Sequence, residues 1–329
     1  MAIRFALIGA GRIGRFHAQT LSMMPQAELV SVSDAQENVA REVASQVGAK
    51  VATADDAIND KSVDAVFIAS STDTHADLID QAATAGKAVF CEKPIDLSAD
   101  RVRDCLQVVK ECAIPLVIGF NRRFDPNFSE LKRRLDDGAI GEIELINISS
   151  RDPAPPPMEY VKVSGGIFRD MMIHDLDLAC WYLGEMPVEI FASGSCLIDS
   201  RIGDAGDFDT AIIGMRSSSG QLCQISNSRR AVYGYDQRIE IHGSAGRLIA
   251  GNPSVSTIEQ AGELGVLTDR LMHFFMDRYS DSYRLELEAF IRKLEGAEDE
   301  CPTGEDGLRA LLLADAAMES IVSGSVIKL

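Results

Sequence analysis

The stretch Ile3-Arg4-Phe5-Ala6-Leu7-Ile8-Gly9-Ala10-Gly11-Arg12-Ile13-Gly14 decides the fold. An almost unbroken apolar run of this length reads as a strand buried on both faces. It leads directly into G-x-G-x-x-G, and the next residues, Arg12–Leu21, read as an amphipathic helix. Strand, glycine turn and helix in that order form the dinucleotide-binding fingerprint. Gly9 permits the tight turn, Gly11 lets a pyrophosphate approach the backbone, and Gly14 lets the helix lie close. Helix N–H groups and the positive end of the helix dipole then hold the phosphates.

Working outward, the pattern repeats. Apolar runs at Leu29–Val32, Ala65–Ala69, Ala88–Cys91 and Leu116–Gly119 predict further strands. Helices are expected between them at Gln36–Val47, Thr74–Ala85 and Ala99–Glu111, with Ser98 as an N-cap and Gly86 as a stop. Strands alternating with helices imply a doubly wound parallel sheet, a Rossmann domain over residues 1–120. Beyond Phe120 the pattern changes. Helices are expected at Phe124–Asp137 and Phe168–Leu183, stopped by Gly138 and Gly184, on either side of a strand at Glu142–Ser149 and a stiff Pro153–Pro157 stretch. Six strand-like runs follow: Glu189–Ala192, Thr210–Met215, Leu222–Ser226, Gln237–His242, Arg247–Ala250 and Ser254–Glu259. Helices at Ser282–Glu295 and Gly307–Ser323 finish the chain. Residues 121–329 are therefore expected to form an α+β domain with a large, mostly antiparallel open sheet, its last helix able to pack back on the first domain. The fold class is α/β.

Across 329 residues, 32 Lys+Arg against 50 Asp+Glu give 32 − 50 = −18. That field repels phosphate backbones and anionic lipid, which argues against nucleic acid or membrane as a partner. With 46% hydrophobic and 25% charged residues the composition is globular, not disordered. There is no signal-peptide layout at the N-terminus. The seven cysteines include no C-x-x-C pair, and most sit in apolar stretches, so they read mostly as buried thiols of a reducing compartment, the cytoplasm.

Three features carry chemistry. Asp34 stands twenty residues beyond Gly14, where a carboxylate accepts from ribose hydroxyls and repels a 2′-phosphate. This favours NAD over NADP, although Arg12 and Arg41 leave the second cofactor open. Lys93, in Glu92-Lys93-Pro94, follows the fifth strand, on the edge of the sheet where ligands bind. It reads either as a solvated loop lysine or as the group that stabilises a developing alkoxide. Asp170 and His174 are four apart in a helical stretch and share a face, with Asp177 on the same line. Such a carboxylate can fix the imidazole's tautomer for proton transfer. A surface ion pair is the alternative. No second histidine stands at ligand spacing, so a metal site is not expected.

Taken together, Gly9–Gly14, Asp34, Thr72-Asp73-Thr74-His75, Glu92-Lys93-Pro94, Gly165–Asp175 and the final helix resemble the glucose–fructose oxidoreductase and inositol dehydrogenase (Gfo/Idh/MocA) family over the whole chain. Ser150–Pro157, Tyr160 and Gly165-Gly166 are most similar to its myo-inositol 2-dehydrogenases. The resemblance implies a catalytic triad of Lys93, Asp170 and His174. It implies NAD contacts from Gly9, Gly11, Arg12, Ile13, Gly14, Asp34, Ser71, Thr72, His75, Glu92 and Lys93. Polyol contacts are implied from Asn121, Arg122, Asp152 and Tyr233 or Tyr235, beside the triad. The implied reaction is NAD-dependent oxidation of a cyclic polyol, myo-inositol to 2-keto-myo-inositol, within inositol catabolism. Scyllo-inositol or a pyranose sugar is the alternative substrate, and a non-catalytic NAD or sugar sensor the alternative class. The resemblance also implies a homo-oligomer, a dimer or homotetramer, formed through the open sheet.

Overall fold

The structure, a computed structural model, describes residues 2–298 and 300–329, which divide into two compact units. The first comprises the chain up to Phe124 together with Ser282–Arg309; the second comprises Asp125–Asp281 and Ala310–Leu329. Among the described residues no helix is long and apolar enough to cross a membrane.

The first unit holds strands β1 (Ile3–Ile8), β2 (Ala27–Ser33), β3 (Lys50–Val51), β4 (Ala65–Ile68), β5 (Ala88–Cys91) and β6 (Leu116–Ile118). They form a six-stranded sheet, order β3-β2-β1-β4-β5-β6, with every pair parallel. Every residue of β4 and β5 is buried, as strands covered on both faces require. Phe67 and Phe90 stack at 4.6 Å, and Phe290 of helix Ser280–Leu294 packs edge-on to Phe90 at 5.6 Å. The strand order reverses between β1 and β4, which opens a crevice at their carboxyl ends. The turns that follow β1, β2, β4, β5 and β6 begin with Gly9, Asp34, Ala69, Glu92 and Gly119.

Helix Gly304–Ser323 starts on a reciprocal cap. The Thr303 N–H donates to Asp306 Oδ2 at 2.7 Å, and the Asp306 N–H donates to Thr303 Oγ1 at 3.3 Å. Burial alone would raise the Asp306 carboxyl, but the Arg123 guanidinium at 2.9 Å and the Thr303 donors bring it down to about 2. A depressed carboxyl contributes stability above its unfolded pKa, and that contribution is lost as pH falls through the folded value. Asp306→Ala should therefore cost about 1–3 kcal/mol at neutral pH, and the gap should close as acid takes the wild type from about pH 4 toward about pH 2. Denaturant unfolding of both proteins across that window checks this.

In the second unit the strands are β7 (Ile143–Arg151), β8 (Glu189–Ser195), β9 (Thr210–Arg216), β10 (Leu222–Ser228), β11 (Asp236–Gly243), β12 (Gly246–Ala250), β13 (Glu259–Gly262), β14 (Gly265–Thr268) and β15 (Ile327–Lys328). Seven of them make a sheet of order β12-β11-β7-β10-β9-β8-β15, and β13 and β14 pair separately. All neighbours in the larger sheet run antiparallel except β7 and β10, which run parallel. Burial alternates along the strands. Ile146, Ile148, Ile213, Ile225, Ile239 and Ile241 are buried, whereas Phe191, Ile212 and Leu222 are exposed. Helix Ile173–Leu183 packs against β7.

Several expectations are corrected. Phe168–Leu183 is not one helix but two, Gly166–Asp170 and Ile173–Leu183. The Met172 N–H donates to the Ile167 carbonyl, five residues back, so the turn widens there. Ser254–Glu259 is not a strand. Only its two ends pair, Ser254 in a bridge to Leu271 and Glu259 as the first residue of β13, and Val255 and Ile258 are exposed, so the sequence alternation has no surface to bury against. Helices Ala54–Asn59, Met158–Val161 and Ser200–Asp204 and strands β3 and β15 are additional.

Candidate active site

In the first unit, Gly9 has φ +96°, and a Cβ there would lie 2.3 Å from the Ser70 nitrogen. A Cβ on Gly14 would lie 1.9 Å from the Gly9 carbonyl oxygen, so this glycine packs helix against turn. Gly11 differs, because an added Cβ meets nothing within 4 Å. The helix that it caps has no acidic residue in its first turn. Open backbone at Gly11, at the N-terminus of a helix, fits a pyrophosphate. Arg12 is exposed, Ile13 half-buried and Gly14 buried.

Asp34 ties the neighbouring turns together. Its Oδ2 accepts from the Ala10 N–H at 2.7 Å and its Oδ1 from the Gln36 N–H at 2.8 Å. Each oxygen keeps a further lone pair for a ribose hydroxyl. Ser71 is exposed and precedes helix Thr72–Thr84, and Thr72 is half-buried. His75 is buried, with Nδ1 2.8 Å from the Pro94 carbonyl and Nε2 3.1 Å from the Ser70 carbonyl. It braces the turn that carries Lys93, whose bond to Pro94 is cis. On the other side of that turn, Glu92 Oε1 lies 2.9 Å from His17 Nε2. Lys93 itself is half-buried. Asn121 and Arg122 are buried in a 3₁₀ turn after β6, and Asn121 Nδ2 is among the buried donors without a partner in the described residues.

In the second unit, the two segments joined at the Met171-Met172 turn carry Asp170 and His174. Asp170 Oδ1 accepts from the Tyr160 hydroxyl at 2.8 Å, and its Oδ2 lies 3.6 Å from Arg229 Nη1. Arg229 is only 1% exposed and also reaches Asp207 at 3.3 Å. Asp170 is thus fixed by a phenol and a buried guanidinium. His174 is half-buried, on the first turn of helix Ile173–Leu183. Asp152 is half-buried at the end of β7, its N–H donating to the Ser228 carbonyl at 3.0 Å. Tyr233 donates its hydroxyl to Asp236 at 2.8 Å; burial and that carboxylate raise its pKa. Tyr235 is buried edge-on to Tyr279 at 5.9 Å.

The structure thus gathers the expected cofactor residues of the first unit on the turns after β1, β2, β4 and β5 and on the first turns of helices Arg12–Ser22 and Thr72–Thr84. In the second it joins Asp170 to Tyr160 and Arg229. Sequence reading missed the parts of Arg229, His17 and Glu286, which meet their partners only in the fold. A basic residue three before the Val232–Gly234 turn was the local signal for Arg229.

Residues 3–120 match the oxidoreductase family with an NAD-binding Rossmann fold (GFO_IDH_MocA), and residues 128–249 match the GFO/IDH/MocA C-terminal domain. The chain belongs to the Gfo/Idh/MocA oxidoreductase family. It is 51% identical over 321 residues to the inositol 2-dehydrogenase of Rhizobium meliloti (strain 1021), covering 98% of this chain and 97% of that one. It is 47% identical over 329 residues to the myo-inositol 2-dehydrogenase of Thermotoga maritima, covering 99% and 98%. The crystal structure of a myo-inositol dehydrogenase from Corynebacterium glutamicum superposes with a TM-score of 0.96 at 40% identity, over 100% of this chain and 99% of that one. This Gfo/Idh/MocA protein is an NAD-binding oxidoreductase.

Proposed function

We propose that this chain oxidises myo-inositol at C2 to 2-keto-myo-inositol, passing the hydride to NAD. The observation that carries this is the likeness, along the full length, to relatives named for that reaction. Bound NAD supplies the hydride acceptor, and the protein supplies placement and charge complementarity. Lys93 holds the reacting oxygen and stabilises the negative charge that grows there as the hydride departs. His174 accepts the hydroxyl proton. Asp170 orients His174, and is itself steadied by Tyr160 and Arg229. Asn121, Arg122, Asp152 and Tyr233 or Tyr235 are proposed to meet the remaining hydroxyls; the buried Asn121 Nδ2 is a donor with capacity to spare.

Mixing the protein with NAD and a panel of polyols, and following NADH absorbance, tests the reading. The highest kcat/KM should fall on myo-inositol. Faster turnover of scyllo-inositol or a pyranose would reassign the substrate, and tight NAD binding with no turnover on any of them would make the protein a sensor.

Asp34 sets the cofactor preference by its two backbone contacts and its charge. Asp34→Ala is expected to raise the KM for NAD about tenfold and to narrow the gap between NAD and NADP in kcat/KM. Steady-state rates with each cofactor measure it.

The exposed face of the larger sheet carries Phe191, Ile212 and Leu222, each between 44% and 50% exposed. Covering such a face favours association, and we infer a dimer or tetramer built through it. Light scattering on Ile212→Glu against the wild type tests this. Buried thiols at Cys91, Cys105, Cys180, Cys223 and Cys301 suit a reducing, cytoplasmic setting.

A further inference from the structure

Glu286 lies on helix Ser280–Leu294 and is fully buried. Neither of its carboxyl oxygens has a hydrogen-bond partner among the described residues. An ionised carboxylate in that position, dry and undonated, is strongly disfavoured. Two elements besides its own face it. Glu92 comes from the end of β5, and His17 from helix Arg12–Ser22; donor or acceptor atoms of all three side chains lie within 4.8 Å of one another. Tyr283, on the same helix as Glu286, sets its ring edge-on to His17 at 5.4 Å.

We infer that Glu286 is held in its protonated form and directs its hydroxyl hydrogen to Glu92, so that His17, Glu92 and Glu286 form one proton-bearing support beneath the Glu92-Lys93-Pro94 turn. The span is short enough to be closed directly or through one water. Burial pushes the Glu286 carboxyl well above the usual carboxylate range, and the charge of Glu92 adds to that. Such a neutral acid can donate to the carboxylate of Glu92, whose Oε1 lies 2.9 Å from His17 Nε2. Glu92 is confined on a third side as well, since a Cβ on Gly119 would lie 3.1 Å from its Oε2. With His75 holding the Pro94 carbonyl at 2.8 Å, the residue between them is braced from both directions. Glu286 is thus a positioning residue that acts through Glu92 on Lys93. Only this last step rests on the proposed role of Lys93.

The test uses full-length Glu286→Gln and Glu286→Ala, with thermal unfolding from about pH 4 to about pH 9 and steady-state oxidation of myo-inositol. A carboxyl with a raised native pKa loses stability as pH climbs toward that value, whereas glutamine cannot ionise. Glu286→Gln should therefore match the wild type at the acid end and exceed its Tm increasingly toward the alkaline end. It should keep kcat within about twofold, while Glu286→Ala lowers kcat about tenfold with the KM for NAD little changed. A Glu286→Gln protein that falls further below the wild type as pH rises would overturn the protonated state. So would a stoichiometric divalent cation in the purified wild type. Equal kcat for Glu286→Ala and wild type would overturn the positioning role. The unfolding measurement stands even if no polyol is turned over, so failure here is distinct from failure of the proposed function.

Discussion

Lys93→Ala is expected to bind NAD within about threefold of the wild type while its kcat for polyol oxidation falls about 10²–10³-fold. The effect of the lysine is electrostatic. Charge develops on the substrate oxygen as the hydride leaves, and one preoriented cation lowers the barrier far more than it strengthens ground-state binding. The ammonium is carried on a turn fixed by the Glu92–His17 pair at 2.9 Å and by His75 on the Pro94 carbonyl at 2.8 Å, so removing the side chain leaves the turn intact. Cofactor affinity should survive because the phosphates depend on the Gly9–Gly14 loop. His174→Ala should lose about 10²–10⁴-fold in kcat through the missing proton acceptor. The double variant should lose much less than the product of the two, as groups that serve one transition state do. Lys93→Ala with wild-type kcat would remove the lysine from the chemistry.

The glycine loop gives the second large effect, and it splits by position. Gly14→Ala places a methyl 1.9 Å from the Gly9 carbonyl oxygen, which forces the helix off the turn. We expect a loss of about 2–3 kcal/mol, or roughly 5–10 °C in Tm, together with weak NAD binding. Gly11→Ala meets open space, so its Tm should stay within about 1–2 °C while NAD affinity drops at least about tenfold, because the methyl stands where the pyrophosphate must come. Thermal unfolding and NADH fluorescence titration of both variants separate a packing glycine from a ligand glycine. Equal Tm losses would show that both serve packing alone.

The parts legible in the sequence were those in which local backbone demand and burial agree. Strands β1, β4 and β5 read as continuous apolar runs because both faces are covered, and Gly9 and Gly184 mark positive φ that side chains avoid. The break at Met171-Met172 was hidden because both residues keep right-handed helical dihedrals and are good helix formers. Strand β3 is two exposed residues and leaves no pattern to read. β13 and β14 are exposed throughout, so their pairing has no periodic signature. The parallel pairing of β7 with β10 joins segments more than seventy residues apart, which no turn signal announces. The same distance effect concealed the supports of the site. Arg229 reaches Asp170 across 59 positions of sequence, and Glu286 approaches Glu92 across 194, with no short motif linking either pair.

Hydride transfer from C2 of the ring to the nicotinamide is tested most directly with myo-inositol deuterated at C2, NAD and the purified protein, by mass spectrometry of the reduced cofactor. Reduced cofactor carrying the deuterium is the predicted result. Unlabelled NADH beside a product that keeps its deuterium would place the oxidation at another carbon, and reduced cofactor that never forms would contradict the reaction itself.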